Sequence, residues 1–287
     1  MCRSEGHTRQ IPLEDVSAIV VTSFSASIHS ELLVKAAQMG VALVMCQAFK
    51  PVSLVLPANR STDTVLTRAQ VSLKNTDRDR YWYKTVDAKT RNQLSLASHL
   101  AADHEKLPLL AATAQGVKPH KESLTVRTYW TILGDALFPG EDFKRLRKGK
   151  GATDANAILN YGYAVLLSTT LQKLFGVGID PTFGIAHATR EHSTPLAYDL
   201  MEPFRPLVDW MVAKWVKENP SPQDWGITKK SRAWVTSLAT REIEYNGTSM
   251  QLQAAVESSI RSFRNAVLAG KIGTYQPWIQ RDSKWDG

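Results

Sequence analysis

His187, Asp199 and Glu202 are residues whose types and spacing could do chemistry together. Thr194 suits a helix N-cap, and Pro195 suits the first helical position. A helix starting there sets Asp199 and Glu202 at i and i+3, on one face. Pro203 follows at once. It lacks the N–H that would bond the Asp199 carbonyl, so the helix should kink beside these carboxylates. Two carboxylates about 4 Å apart, at an effective dielectric of about 20, repel by about 4 kcal/mol, and a bound divalent cation reverses that sign. Acidic pairs at this spacing also line ordinary solvated helix faces, so spacing alone leaves both readings open. His187 is one of seven histidines, and His192 is an equally good imidazole ligand on chemistry alone.

Glu122 falls in the first turn of a predicted helix, where a carboxylate is favourable against the macrodipole; that role and a ligand role both fit it. A basic stretch, Lys144-Arg145-Leu-Arg147-Lys148-Gly-Lys150, precedes a buried helix. Such a loop is a natural phosphate clamp, or simply a solvated surface loop. The chain holds 35 Lys and Arg against 27 Asp and Glu, a net charge of +8, which favours polyanions through counterion release. Eight tryptophans and eight tyrosines could stack on splayed bases, though core packing accounts for such residues equally well. Glycine-rich phosphate loops, dinucleotide fingerprints, H-E-x-x-H and zinc-spaced Cys/His sets are all missing, which argues against a P-loop enzyme, a dinucleotide enzyme and a zinc protease.

The elements that must position these residues fall into two groups. Val16–Thr22, Val41–Cys46 and Val52–Leu56 have the β-branched, apolar character of strands, with a short helix over Ser30–Met39 closed by Gly40. Residues 57–63 are polar and turn-rich, and a domain boundary belongs there. Beyond it, Thr67–Leu73, Tyr81–Leu100, Lys121–Leu133, Ala155–Leu174 and Leu252–Leu268 carry helical spacing. Ala155–Leu174 is apolar on nearly every face and belongs in the middle of a bundle. Asn246-Gly247 marks a hairpin turn within Glu242–Gln251. The expected fold is α+β: a small β-rich N-terminal domain, residues 1–62, followed by a large, mostly α-helical catalytic domain, residues 63–287. Cys2 and Cys46 form no C-x-x-C pair, and Cys46 reads as a buried free thiol; together with the absence of an apolar signal core or spanning stretch, this suits a soluble protein of the reducing cytoplasm, with no membrane partner.

Several ordered stretches resemble the CRISPR-associated integrase/endonuclease of spacer acquisition. Asp199-Leu-Met-Glu202-Pro-Phe-Arg-Pro-Leu-Val-Asp209 is similar to its signature, Phe183-Gly184-Ile-Ala-His187 to its metal-histidine segment, and Glu122 before Tyr129-Trp130 to its first metal-binding glutamate. Asp154-Ala-Asn156-Ala-Ile-Leu-Asn160-Tyr161-Gly162-Tyr163 resembles its central helix, and Ile11-Pro-Leu-Glu-Asp15-Val-Ser and Tyr245-Asn246-Gly247 match further stretches. The form looks closest to the type II-like variants, with a shortened N-terminus, since only ten residues precede Ile11.

The resemblance implies a divalent ion, Mg²⁺ or Mn²⁺, held by Glu122, His187 and Glu202, with Asp199 as an auxiliary acidic residue. It implies an N-terminal dimerisation domain, a homodimer or higher assembly, and a small ferredoxin-like CRISPR adaptation protein as partner. It implies phosphoryl transfer: the 3′-hydroxyl of a captured DNA fragment attacks the phosphodiester at a repeat end, and water in its place gives endonuclease cleavage. Lys144, Arg145, Arg147, Lys148, Lys150 and Arg205 are the expected DNA contacts. Two other readings stand beside this one. A nuclease of branched or repair DNA, or a transposon-type integrase, would use the same residues. The latter tends to carry an extra C-terminal DNA-binding module, which a 17-residue tail after Gly270 does not supply. A non-catalytic DNA-binding subunit would have no reason to hold all three ligands.

Overall fold

The β-branched run at the start of the chain pairs as its composition dictates. The computed structural model describes residues 2–4, 7–9, 12, 13, 16, 18–21, 25–39, 41–47, 50–55, 64–114, 122–140, 143–145, 155–187, 194–281 and 285. A short antiparallel hairpin, β1 (Cys2–Ser4) and β2 (His7–Arg9), opens it and was not legible in the sequence. Strand β3 (Ala18–Val21) runs parallel to β4 (Ala42–Gln47), and helix α1 (Ser30–Gln38) supplies the crossover that a parallel pair requires. Strand β5 (Lys50–Val55) closes the three-stranded sheet antiparallel to β4, with a register shift between Met45 and Cys46. The side chains of Cys2 and Cys46, and the boundary expected at 57–63, lie outside the described residues.

The rest of the chain is helical. Helices α2 (Thr64–Val71), α3 (Asn75–Leu100), α4 (Leu107–Ala114) and α5 (Glu122–Leu137) precede α6 (Ala155–Gly176). Helix α6 is buried on all sides, as its sequence demands: Ile158, Leu159, Leu166, Leu171 and Leu174 are each under 4% exposed. It packs against α7 (Pro195–Met201), α8 (Arg205–Glu218), α9 (Lys229–Thr236) and α10 (Leu252–Ala269). Between α9 and α10 lies the predicted hairpin, β6 (Glu242–Tyr245) and β7 (Thr248–Gln251). Its turn residues Asn246 and Gly247 both have positive φ, 52° and 82°. Gly270 ends α10 in the left-handed region at φ 62°. Among the described residues no helix is long and apolar enough to cross a membrane.

The expected kink at Pro203 is a break. Helix α7 stops at Met201, a 3₁₀ turn covers Glu202–Phe204, and α8 starts anew at Arg205. The missing Pro203 donor leaves the Asp199 carbonyl to the Glu202 N–H, one residue early, and this tightens the chain into the 3₁₀ turn. The C-terminal tail then returns across α3. Lys84 donates to the carbonyls of Ile272, Gly273 and Tyr275, at 3.3, 3.2 and 2.6 Å.

Candidate metal centre

Gly184 and Asp199 set the position of His187. A Cβ on Gly184 would lie 2.5 Å from the His187 carbonyl and 2.8 Å from Pro195 Cβ, so only glycine fits where the chain folds back on α7. Arg78 of α3 holds the Gly184 carbonyl at 3.0 Å. Asp199, on α7 and wholly buried, accepts the backbone N–H groups of Ile185 (2.6 Å), Ala186 (3.2 Å) and His187 (3.2 Å). It also meets His187 Nδ1 at 2.6 Å. That contact places the ring proton on Nδ1 and leaves Nε2 as the free donor atom, the usual arrangement behind a metal-bound histidine. The Asp199 bond raises the His187 pKa against the opposing effect of burial. Asp199 thus orients the imidazole and its turn.

The two glutamates meet across a cation. Glu122 is the first residue of α5, and Glu202 opens the 3₁₀ turn. Lys89, in the middle of α3, puts Nζ 2.8 Å from Glu122 Oε1 and 2.6 Å from Glu202 Oε2. Arg205 takes the other Glu202 oxygen at 2.5 Å. Burial raises the Glu202 pKa, but Arg205 and Lys89 outweigh it and hold the carboxyl at about 2. Glu202 Oε2 is buried, and Lys89 Nζ meets it at 2.6 Å in poor hydrogen-bond alignment. Glu202 also adds to the charge felt by His187. Among the described residues no three Asp, Glu, His or Cys side chains converge as a ready-made cage; Lys89 stands between the two glutamates.

The profile of the family described as "CRISPR associated protein Cas1" matches residues 1–243. The chain belongs to the Cas1 family. It is therefore an endonuclease and integrase of CRISPR spacer acquisition. A CRISPR-associated endonuclease Cas1 from Korarchaeum cryptofilum is 26% identical, covering 96% of this chain and 92% of its own length. One from Neisseria meningitidis serogroup C is 29% identical, covering 74% of this chain and 68% of its own length. Among solved structures, a Cas1 protein from Thermotoga maritima shares the fold at TM-score 0.64, 16% identity and coverage of 92% and 90% of the two chains. A casposase bound to integration product does so at TM-score 0.66 and 18% identity, covering 90% of this chain and 84% of its own.

The expected basic contacts divide. Arg145 is turned inward: its guanidinium bonds the side-chain oxygens of Asn156 (3.1 Å) and Asn160 (2.7 Å) and lies over the Trp130 and Tyr163 rings. These contacts tie Arg145 to α6. Lys144 is exposed, while Arg147, Lys148, Lys150 and His192 lie outside the described residues. Arg205 is committed to Glu202 and sits 4.2 Å from the Tyr163 ring centroid. Behind it, Tyr129 and Tyr163 both donate to the buried Asp209, in a polar cluster that joins α5, α6 and α8.

Sequence reasoning missed Lys89 and Asn92. Asn92 donates to the Pro203 carbonyl at 2.8 Å and the Trp278 carbonyl at 3.0 Å, which ties the glutamate turn to α3. The signal was present. Along α3, Tyr81, Thr85, Ala88, Lys89, Asn92 and Leu96 form one buried stripe, and a lysine and an asparagine within such a stripe need partners.

Proposed function

We propose that Glu122, His187 and Glu202 hold one divalent cation, Mg²⁺ or Mn²⁺, and that this centre joins the 3′-hydroxyl of a captured DNA fragment to a phosphodiester at a CRISPR repeat end. One observation carries this reading: two glutamates from distant parts of the chain face each other across a single positive charge. The residues fit a metal. An ammonium already stands where a cation would, Glu202 Oε2 has no aligned donor, and His187 offers Nε2. Carboxylate oxygens with one imidazole suit Mn²⁺ or Mg²⁺. When bound, the ion would polarise the scissile phosphate and stabilise charge on the attacking and leaving oxygens.

The chain's own residues do the rest. Asp199 fixes the imidazole, and Arg205 keeps Glu202 ionised. Glu122 and His187 are the more open members, at 23% and 49% side-chain exposure against 5% for Glu202, so a DNA phosphate approaches from their side. No protein nucleophile is required; a DNA hydroxyl gives integration and water gives cleavage. Lys144, Arg147, Lys148 and Lys150 supply counter-charge along the DNA, and Arg145 is tied to α6. We assign the strand-bearing segment, residues 1–62, to a dimerisation domain and residues 63–287 to the catalytic domain of a cytoplasmic, type II-like form. The assembled partners are DNA, a second copy and a small ferredoxin-like adaptation protein. In support, a solved Cas6-RT-Cas1–Cas2 complex contains a chain of this fold, at TM-score 0.67 and 14% identity, covering 98% of this chain and 93% of that one.

The test is strand transfer of a 3′-hydroxyl DNA duplex into a repeat-bearing target, with Mn²⁺ or Mg²⁺. Glu122→Ala, His187→Ala and Glu202→Gln are each expected to fall to the level seen in chelator while retaining the wild-type circular dichroism spectrum. Wild-type-like integration by any one of them would remove that residue from the centre.

A further inference from the structure

The least expected residue of the centre is its lysine. Lys89 is only 10% exposed along its side chain, in the middle of a 26-residue helix, and its ammonium touches both glutamates. Lysine is almost never buried so deeply unless paired. Glu122 and Glu202 would repel each other across a partly desolvated gap without it. Arg205 cannot replace it, because the guanidinium sits on the opposite oxygen of Glu202.

Building on the metal-centre proposal, we infer that Lys89 is a resident counter-cation: it holds Glu122 and Glu202 together while no divalent ion is bound, and yields its place when one binds. Charge requires the exchange. Two carboxylates, Lys89 and Arg205 already sum to zero. A divalent ion added to the same oxygens would face an ammonium at contact distance, so one of the two must move. Lys89 is suited to moving. It is a point charge on a flexible four-carbon stem, not a planar fork locked by paired bonds. Its contact with Glu202 Oε2 is poorly aligned, and its well-formed hydrogen bond is to Glu122 Oε1, the more exposed of the two carboxylates. Lys89 is therefore a positioning residue with two opposed effects. It keeps the site assembled in the absence of metal, and it competes with the metal for the site.

Mn²⁺ binding, read by electron paramagnetic resonance on wild type, Lys89→Met and Glu202→Gln, tests this. Lys89→Met is expected to bind Mn²⁺ about tenfold more tightly than wild type, since a like charge has been removed from beside the ion. Its melting temperature in chelator should be lower than wild type's and should rise further on adding Mn²⁺. A folded Lys89→Met that binds Mn²⁺ no more tightly than wild type overturns the inference. If that variant does not fold, the wild-type protein decides. Acetylation of Lys89 by an N-hydroxysuccinimide ester, followed by peptide mass spectrometry, should be slow in chelator and several-fold faster with Mn²⁺. A rate unmoved by Mn²⁺ overturns the exchange. Failure of the parent reading looks different: Glu202→Gln would then bind Mn²⁺ as wild type does, and both readings would fall. If Glu202→Gln loses Mn²⁺ while the Lys89 results fail, the metal centre stands and this inference alone is wrong.

Discussion

Asp199 takes four donors on two buried oxygens, three from the backbone of residues 185–187 and one from the His187 ring. A carboxamide offers one acceptor oxygen and turns an NH₂ group toward donors. Asp199→Asn should therefore cost about 1–3 kcal/mol and loosen the histidine turn. It should also bring the His187 pKa down toward or below its ordinary 6.5, because burial alone lowers it. A nuclear magnetic resonance titration of the imidazole in chelator measures this; a pKa unchanged in the variant would mean that Asp199 does not orient the ring. The pH dependence of the metal-free protein follows from two opposite shifts. His187 has a raised pKa, so its contribution is fully present below pH 6.5 and is lost as pH rises through its folded value. Glu202 is lowered from 4.5 to about 2, so its contribution is present above pH 4.5 and is lost as pH falls toward 2. Denaturant midpoints in chelator should accordingly fall on both sides of the window between those two ordinary values. At this scale motif resemblance marks Glu122, His187 and Glu202, and the fold brings the two glutamates onto one lysine. Lys89 was not legible, because a lysine in a helix reads as surface until the stripe it interrupts is recognised as buried.

Helix positions were legible where a local signal and a burial pattern agreed. The Asn246-Gly247 turn, the Gly270 cap and the apolar helix α6 each have such agreement, and each formed where expected. Helix α8 had none: prolines at 203 and 206 flag an interruption, and residues Leu207–Ala213 are buried in an unbroken run without a periodic polar face. Helix α9 hides its start because its capping box is completed by Ser231 in place of the usual Glu or Gln. The α6–α8 contact also depends on a residue with no side chain. A Cβ on Gly162 would lie 2.5 Å from Val208 Cγ1 and 3.3 Å from Val235 Cγ1, so the three helices meet there at closest approach. Gly162→Val should force them apart at a cost of about 1–3 kcal/mol, beyond any change in helix propensity. Since α8 follows directly from the Glu202 turn, the same substitution should weaken Mn²⁺ binding by the folded protein. Urea denaturation and Mn²⁺ titration on one preparation separate the two effects.

Across the whole molecule, the glutamate turn is supported from the far end of the chain. Phe204, the last residue of that turn, stacks on Trp278 with centroids 5.6 Å apart and planes 9° from parallel. Asn92 binds the Pro203 and Trp278 carbonyls with one amide group and accepts the Gln280 N–H at 2.7 Å with its oxygen. Trp278 is itself pinned to the β6–β7 hairpin through the Glu244 carbonyl at 2.9 Å. Among its described residues this tail carries no helix or strand after Thr274, and it gave no sequence signal beyond its aromatic content, because its order comes from distant partners. Through Phe204 and Asn92 it contacts both the Glu202 turn and α3, the helix that carries Lys89. Trp278→Ala should cost about 3–5 kcal/mol, as expected for a fully buried aromatic. It should also lower Mn²⁺ affinity, because Phe204 loses its backing and Glu202 its fixed height above α3. Phe263→Ala supplies the control. Phe263 is equally buried, and its ring contacts are with Tyr81 and Tyr275 in place of Phe204. That variant should lose similar stability yet, while folded, bind Mn²⁺ as wild type does. If both substitutions weaken Mn²⁺ binding alike, the loss follows global stability, and the tail has no particular hold on the centre.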